Sequence, residues 1–122
     1  MERLKKRRDF LRVQKGRRVH TGLFSVQMLP QETETVSRVG FTVSKRVSLS
    51  AVKRNRIRRR LKEAMRTQDH GVSTTGTDFV IVAKIEALTA PFTRITSELT
   101  RAMRKSVQLN PDDPSAPHPR AP

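Results

Sequence analysis

A basic segment in the middle of the chain gives the clearest indication of structure. Residues 51–66 read AVKRNRIRRRLKEAMR. Their apolar side chains recur at i, i+4, i+7 and i+8, the spacing of one helical face, and are Ile57, Leu61, Ala64 and Met65. The opposite face carries polar side chains at i, i+4, i+7 and i+11, namely Asn55, Arg59, Lys62 and Arg66. The pattern predicts an amphipathic helix with a basic outer face, and either Ser48 or Ser50 can cap its N-terminus.

The charge density of this helix indicates a polyanionic partner. Eight of the fourteen residues from 53 to 66 are Lys or Arg, and only Glu63 opposes them. Like charges at i, i+4, such as Arg54 and Arg58, destabilise an isolated helix by a few tenths of a kcal/mol per pair. Phosphates would remove that repulsion, whereas an ordinary solvated face mixes both signs. The amide of Asn55 can bind a base edge or a phosphate, or it can cap the local backbone.

The charge of the whole chain leads to the same class of partner. The 122 residues carry a formal net charge of +15, and residues 1–66 hold 20 Lys or Arg against 5 Asp or Glu. Such crowding favours binding to nucleic acid. An anionic membrane surface is the weaker alternative, because the basic segments lack the aromatic-rich apolar face of an interfacial helix.

The flanking segments predict strands and two further helices. Residues 21–29 and 37–44 alternate as strands do, and residues 78–84, DFVIVAK, are apolar on both faces and predict a central strand. Residues 4–15 predict a short basic helix with Leu4 and Leu11 on one stripe. A last helix begins near Pro91, with a core stripe of Phe92, Ile95, Leu99, Met103 and Val107.

These elements predict one α+β sandwich in the order α-β-β-α-β-α, with a mixed sheet of three or four strands. The predicted domain spans residues 1–110. Residues 111–122 contain five of the seven prolines of the chain. This composition cannot support a packed core, so we expect a disordered tail.

Residues for covalent chemistry are scarce. The chain has no Cys, and its three histidines, His20, His70 and His118, are far apart in sequence. We therefore expect no catalytic residue and no metal site in the protein itself. There is no apolar run of about 20 residues, and residues 1–8, MERLKKRR, lack the apolar stretch of a secretion signal. We expect a cytoplasmic protein that does not contact a membrane, and no protein partner is evident.

Two stretches carry a family resemblance. Residues 38–46, RVGFTVSKR, and residues 51–59, AVKRNRIRR, resemble the bacterial ribonuclease P protein family. That family has a Gly-containing strand ending in Ser-Lys-Lys/Arg, a short turn, and then Ala-Val-x-Arg-Asn-Arg-Ile-Lys/Arg-Arg. The resemblance extends over about residues 3–107 and includes Leu4, Asp9-Phe10 and the strand that begins at Asp78.

The resemblance implies a role in tRNA maturation. The family's protein assists a catalytic RNA that removes the 5′ leader from precursor tRNA. It therefore implies that this chain is the protein component of a ribonucleoprotein endoribonuclease, with the catalytic centre in the RNA subunit. The implied partners are that RNA and the leader, and magnesium is expected to be held mainly by the RNA. A left-handed β-α-β crossover is also implied.

The resemblance further implies which residues face RNA. Phe10 is expected in a leader-binding cleft between the first helix and the sheet. The other RNA-binding candidates lie on the basic helix and just before it: Lys45, Arg46, Lys53, Arg54, Asn55, Arg56, Arg58, Arg59, Lys62 and Arg66. Gln14 and Gln27 stand where relatives often carry aromatic residues. Because stacking on aromatics strengthens base binding, we expect leader binding here to depend on hydrogen bonds and charge.

Two other classes are compatible with parts of this pattern. A small ribosomal-type structural RNA-binding protein, or an RNA chaperone, would have a similar composition but would leave cleavage of precursor tRNA unchanged. A DNA-binding helix-turn-helix regulator needs two adjacent helices. Here predicted strands precede the basic helix, which excludes that reading.

Overall fold

The computed structural model describes residues 2–31, 35–67 and 76–108, without the side chains of residues 107 and 108. These residues form five strands, three α-helices and one 3-10 helix. In chain order they are β1 (Glu2–Arg3), α1 (Arg7–Val13), β2 (Arg17–His20), β3 (Phe24–Pro30), β4 (Arg38–Thr42), α2 (Ala51–Thr67), β5 (Thr77–Ala83), the 3-10 helix (Ile85–Leu88) and α3 (Phe92–Gln108).

The strands form one mixed sheet in the order β1-β4-β5-β3-β2. β4 runs parallel to both β1 and β5, whereas β3 runs antiparallel to β5 and β2. The α+β class and the mixed sheet are thus confirmed, and β5 is the central strand, as its apolar sequence predicts. β4, α2 and β5 form a β-α-β unit between adjacent strands, and its left hand stays a prediction.

The sheet has five strands among the described residues, two of which the sequence analysis does not predict. β1 has only two residues, too few for any alternation. β2 reads RRVH and has a single apolar residue, Val19, which pairs with Val26 of β3. Hydrophobic periodicity cannot identify either strand, because their place in the sheet depends on backbone hydrogen bonds.

Helices α2 and α3 cover one face of the sheet with a large apolar core. The apolar face predicted for α2 is confirmed, since Ile57 and Leu61 are buried in this core. Strands β3 and β4 contribute Val26, Met28 and Val39. From α3, the core receives Ile95, Leu99 and Met103. Phe92 departs from the predicted stripe, because at the start of α3 its side chain is 37% exposed.

Helix α1 covers the other face with a much smaller core. Leu4, Val13 and Val80 are buried there, and Phe10, Leu29 and Val82 pack against them. The prediction of a helix over residues 4–15 with Leu4 and Leu11 on one stripe is wrong in detail. The helix begins at Arg7, so Leu4 reaches the sheet from the preceding segment and Leu11 points outward.

Several predictions concern residues outside the described ranges. The Pro-rich tail at 111–122, His70 and His118 all lie there. Within the described ranges, no helix is both long and apolar enough to span a membrane.

Candidate nucleic-acid interface

The outer face of α2 presents its cations to solvent. Ile57, Leu61 and Ala64 are buried on the inner face. Lys53, Asn55, Arg56, Arg59 and Arg66 are exposed, and Arg54, Arg58 and Lys62 are half-buried. Ser50 caps the helix, since its Oγ accepts a hydrogen bond from the Lys53 backbone N–H at 3.2 Å. The helix therefore has the two faces that the sequence predicts.

Three of the predicted RNA-binding arginines have partners within the protein. Arg54 donates to the Ser48 carbonyl at 2.8 Å. Arg58 donates to the Asn55 side-chain oxygen at 2.8 Å. Arg66 pairs with Glu63 at 2.6 Å, and this hydrogen bond lowers the pKa of the Glu63 carboxyl. Each of these three side chains therefore has a partner on the surface of the protein.

The contact between Asn55 and Arg58 bears on the two roles that the sequence allows for Asn55, binding RNA or capping the local backbone. Its side-chain oxygen serves a local side-chain contact rather than capping the backbone. Its amide N–H groups have no partner among the described residues and can donate to a base edge or a phosphate oxygen.

Arg60 has a structural role that its sequence context does not indicate. Its guanidinium donates to the carbonyls of Ala87 at 2.8 Å and Leu88 at 2.9 Å, and also to that of Ala90. These carbonyls lie at the end of the 3-10 helix, where backbone acceptors lack internal partners. Arg60 therefore ties α2 to the segment before α3 and does not belong to the exposed basic face.

Arg3 of β1 extends the basic face beyond α2. The pKa of Lys62 is lowered, first by burial and then by the positive charges of Arg3 and Arg58. Arg3 is in register with Val39, whose side chain is buried on the α2 face of the sheet, so β1 brings to that side a cation that no sequence pattern predicts. We call the combined set the basic surface: Arg3, Lys45, Arg46, Lys53, Arg54, Asn55, Arg56, Arg58, Arg59 and Lys62.

Phe10 lies on the opposite face of the sheet from α2. Its ring covers Gly40 of β4, where an added Cβ atom would lie 2.5 Å from the ring atoms Cε1 and Cζ. Only glycine leaves room for this approach. Because α1 and α2 pack on opposite faces, the structure does not bring Phe10 together with the predicted residues of α2 on one flat surface. The two sets meet around the edge formed by β1 and β4.

A partly open strip of the sheet lies beside α1. The residues His20, Ser25, Val82 and Thr42 are register neighbours across β2, β3, β5 and β4. His20 is exposed, and its Nδ1 lies 2.8 Å from the Ser25 hydroxyl. Val82 and Thr42 are half-buried. We call this strip, together with Phe10, Gln14 and Gln27, the cleft. No sequence pattern predicts this floor, because β2 has too few apolar residues to be recognised as a strand.

Gln27 carries an unusual polar group in the cleft. It lies in register between Arg18 and Val80. Its side chain is 4% exposed, and its Oε1 has no hydrogen-bond partner. Buried polar atoms in folded proteins nearly always have a hydrogen-bond partner. The Gln27 oxygen therefore remains available to accept a hydrogen bond from a ligand. Gln14 follows α1 and is exposed.

The position of α1 is fixed by a buried carboxylate. Asp78 of β5 is fully buried and accepts hydrogen bonds from Arg38 at 2.7 and 3.0 Å, from Gln31 at 2.8 Å, and from Arg12 of α1. Arg38 also contacts Asp9 at 3.4 Å. Burial acts to raise the pKa of Asp78, but the hydrogen bonds from Arg38 and Gln31 and the charges of Arg38 and Arg12 outweigh it and lower that pKa. This network joins α1 to the sheet.

Comparison with known families identifies the chain. The family model for ribonuclease P matches residues 1–107. The chain belongs to the ribonuclease P protein family. Its function is therefore that of an RNA-binding protein component of ribonuclease P, and the alternative of a ribosomal-type structural protein is not supported.

Relatives and solved structures agree with membership of the ribonuclease P protein family. The ribonuclease P protein component of Bartonella quintana is 44% identical over 108 residues, covering 84% of this chain and 80% of the relative. The ribonuclease P protein of Staphylococcus aureus superposes with a TM-score of 0.71 at 28% identity, covering 87% of this chain and 95% of that structure. The protein from Thermotoga maritima gives a TM-score of 0.71 at 26% identity, with 86% and 97% covered.

Four of the carboxylates in the described part of the chain form ion pairs. Asp9, Glu63, Asp78 and Glu98 each pair with an arginine. Within residues 2–31, 35–67 and 76–108, no group of three or more His, Asp or Glu side chains is placed to hold a metal ion.

Proposed function

We propose that this chain assists a catalytic RNA in removing the 5′ leader of precursor tRNA in the cytoplasm. In this proposal the basic surface binds the RNA subunit, and the cleft binds the leader. The protein is the partner of two RNA segments and contributes no reacting group. Magnesium ions held by the RNA subunit would supply the chemistry of phosphodiester hydrolysis.

The observation that carries the proposal is the arrangement of the two sites around one sheet edge. Arg3 and Lys62 lie on the α2 side of the β1–β4 edge. Phe10 covers Gly40 on the other side of β4. A single RNA–RNA junction at this edge can therefore contact both surfaces at once. Such an arrangement suits a protein that holds a substrate strand beside a larger RNA.

The polar floor of the cleft suits a single-stranded leader. His20, Ser25 and Thr42 offer donors and acceptors, and Phe10 offers one aromatic face for stacking. The amide of Gln27 has an oxygen that accepts and an N–H₂ group that donates, so it can either accept from or donate to a base. We propose that hydrogen bonding by Gln27 replaces a second stacking contact.

Reconstitution with the cognate RNA subunit tests the main proposal. At low magnesium concentration the protein should increase the rate of 5′ maturation of precursor tRNA, because it neutralises phosphates and holds the leader. The same protein without RNA should not cleave. Metal-dependent cleavage by protein freed of RNA, or the absence of stimulation by a folded protein, would contradict the proposal.

A second experiment tests the cleft separately from the basic surface. Gln27→Leu removes the unpaired oxygen at similar volume, so stability should be unchanged or higher. The affinity of the reconstituted enzyme for precursor tRNA should fall, while its affinity for mature tRNA, which lacks the leader, should not change. Ile85→Ala, at a site outside both surfaces, is the control. Equal losses of affinity for precursor and mature tRNA would show that Gln27 does not contact the leader.

A further inference from the structure

Two aliphatic side chains beside the basic surface are far more exposed than their counterparts elsewhere. Leu49 is 87% exposed and Val52 is 67% exposed. The other large apolar side chains exposed among the described residues, Leu11, Val36, Ile85 and Phe92, lie between 37% and 45%. Single exposed aliphatic residues are common on protein surfaces. Two such outliers three residues apart, at the start of the basic helix, are not explained by that background.

The backbone around Leu49 is held by hydrogen bonds on both sides. The Val47 N–H donates to the Ser44 carbonyl at 3.0 Å, and the Ser50 N–H donates to the Ser48 hydroxyl at 3.1 Å. The Arg54 guanidinium donates to the Ser48 carbonyl at 2.8 Å. These bonds fix the turn that displays Leu49, so the side chain is presented to solvent by an ordered segment.

The helix start offers Leu49 no partner of its own. Ser50 is the N-cap of α2, so Leu49 occupies the position just before the cap. An apolar residue there often packs against the fourth helical residue in a hydrophobic staple. In this chain the fourth helical residue is Arg54, and its guanidinium turns back to the Ser48 carbonyl. The usual local reason for an apolar residue at this position is therefore missing.

Val52 lies on the exposed face of α2 itself. Positions 52, 55, 56 and 59 fall at i, i+3, i+4 and i+7, so Val52 shares a stripe with Asn55, Arg56 and Arg59. All four side chains are exposed. Lys45 and Arg46 lie in the turn that ends two residues before Leu49. Leu49 and Val52 therefore lie next to the basic surface, with cations before them in the chain and after them along the exposed face of α2.

The combination of an apolar pair with nearby cations favours RNA over a second copy of this chain as the partner. A second copy of this chain would bring Lys45, Arg46 and Lys53 against their own counterparts, and like charges at an interface oppose association. RNA carries phosphates for the cations and also presents flat apolar faces wherever a base is unpaired and unstacked. An aliphatic pair within a cationic rim fits such a base.

We propose that Leu49 and Val52 form an apolar contact with an unpaired base of the RNA subunit. This inference rests on the proposed function, because it requires that the basic surface face that RNA. The contact adds a salt-independent part to binding, beside the salt-dependent part that the cations contribute.

The double variant Leu49→Ala, Val52→Ala tests the contact through the salt dependence of binding. Its affinity for the RNA subunit should fall roughly three- to tenfold at every salt concentration, as expected for the loss of a small apolar contact. The slope of log affinity against log salt should stay at the wild-type value, since no phosphate contact is lost. Its thermal stability should not fall, because both side chains are exposed. Ile85→Ala serves as the control and should bind like the wild type.

Chemical probing of bases gives a second, independent readout. Some unpaired bases of the RNA subunit should be protected by the wild-type protein and become reactive with the double variant. An identical pattern of protected bases, or wild-type affinity across the salt series, would overturn the inference. So would a dimer of the free protein that the double variant abolishes while RNA affinity stays unchanged.

The same measurements separate this inference from the proposed function. If the wild-type protein binds the RNA subunit with a steep salt slope and the double variant binds equally well, only the apolar contact is rejected. If the wild-type protein shows no salt-dependent binding to that RNA, the proposed function is rejected as well.

Discussion

Different forces hold the helices on the two faces of the sheet. On one face, α2 and α3 bury a large apolar cluster that includes Phe24, Phe79, Leu61 and Leu99. On the other face, α1 is seven residues long and rests on a cluster in which only Leu4, Val13 and Val80 are buried. The ion pairs of Asp78 supplement this small cluster.

The difference shows how one sheet can serve as both scaffold and binding surface. Apolar burial is non-directional and supplies most of the stability, so the α2 face fixes the fold. Charge-assisted hydrogen bonds are directional, so a short helix with little apolar contact can still be held in one position. The α1 face can therefore leave part of the sheet open as a cleft.

Leu61→Ala should have the largest effect, because it acts on the large core. Leu61 is fully buried, and the substitution should lower the free energy of unfolding by about 2–5 kcal/mol. Thermal and denaturant unfolding measure the change. Leu49→Ala is the matched control, since the same atoms are removed from an exposed site. Similar losses at both sites would mean that α2 does not face the sheet as described.

Asp78→Asn should have the next largest effect, and it acts on the α1 face. The change removes the charge that Arg12 and Arg38 share, and should cost about 1.5–3 kcal/mol at neutral pH. Asp9→Asn removes only the longer contact to Arg38 and should cost less. A larger loss for Asp9→Asn than for Asp78→Asn would contradict the central place given to Asp78.

The stability difference between the wild type and Asp78→Asn should depend on pH. The pKa of Asp78 is lower in the folded protein than its usual value of 3.8. Its contribution to stability is therefore fully present above that value and is lost as the pH falls through the lower, folded pKa. The difference in Tm between the wild type and Asp78→Asn should be constant near neutral pH and shrink below about pH 4. A constant difference down to the most acidic conditions would exclude this linkage.

Gly40→Ala tests the close approach of Phe10 to β4. The new methyl group would lie 2.5 Å from the Phe10 ring, so the ring or α1 must shift, at a cost of about 1–3 kcal/mol. Gly22→Ala is a mild control, because the nearest atom there is the flexible end of Arg94 at 3.0 Å. In a double-mutant cycle with Phe10→Ala, the two changes should cost less together than their sum. Additive costs would show that Phe10 does not cover Gly40.

Arg59→Ala should leave stability within about 0.5 kcal/mol, because its side chain is exposed. Removal of one phosphate contact should reduce the slope of log RNA affinity against log salt by about 0.7–0.9. Arg60→Ala should lower stability and leave the salt slope unchanged, since Arg60 binds backbone carbonyls within the protein. Early melting of Arg59→Ala with an unchanged salt slope would show that the helix face is misassigned.

The sequence by itself determined the features that depend on periodicity and charge. The spacing of Ile57, Leu61 and Ala64 determined the buried face of α2, because burial on a helix repeats with a regular period. The unbroken apolar run of Phe79, Val80 and Ile81 determined the central strand, because only a strand covered on both faces is apolar on both. The excess of Lys and Arg and the motif around Asn55 indicated RNA and the family, which the comparisons confirmed.

The tertiary structure alone decided which residues act together. No sequence pattern joins Arg12, Arg38 and Asp78, places Arg3 beside Lys62, or pairs Arg60 with the carbonyls of Ala87 and Leu88. These relations come from the packing of segments that are far apart in the chain. Local periodicity records only whether a side chain is buried. Which partner it meets depends on how the sheet is assembled, because hydrogen bonds and ion pairs require specific distances that only the folded chain supplies.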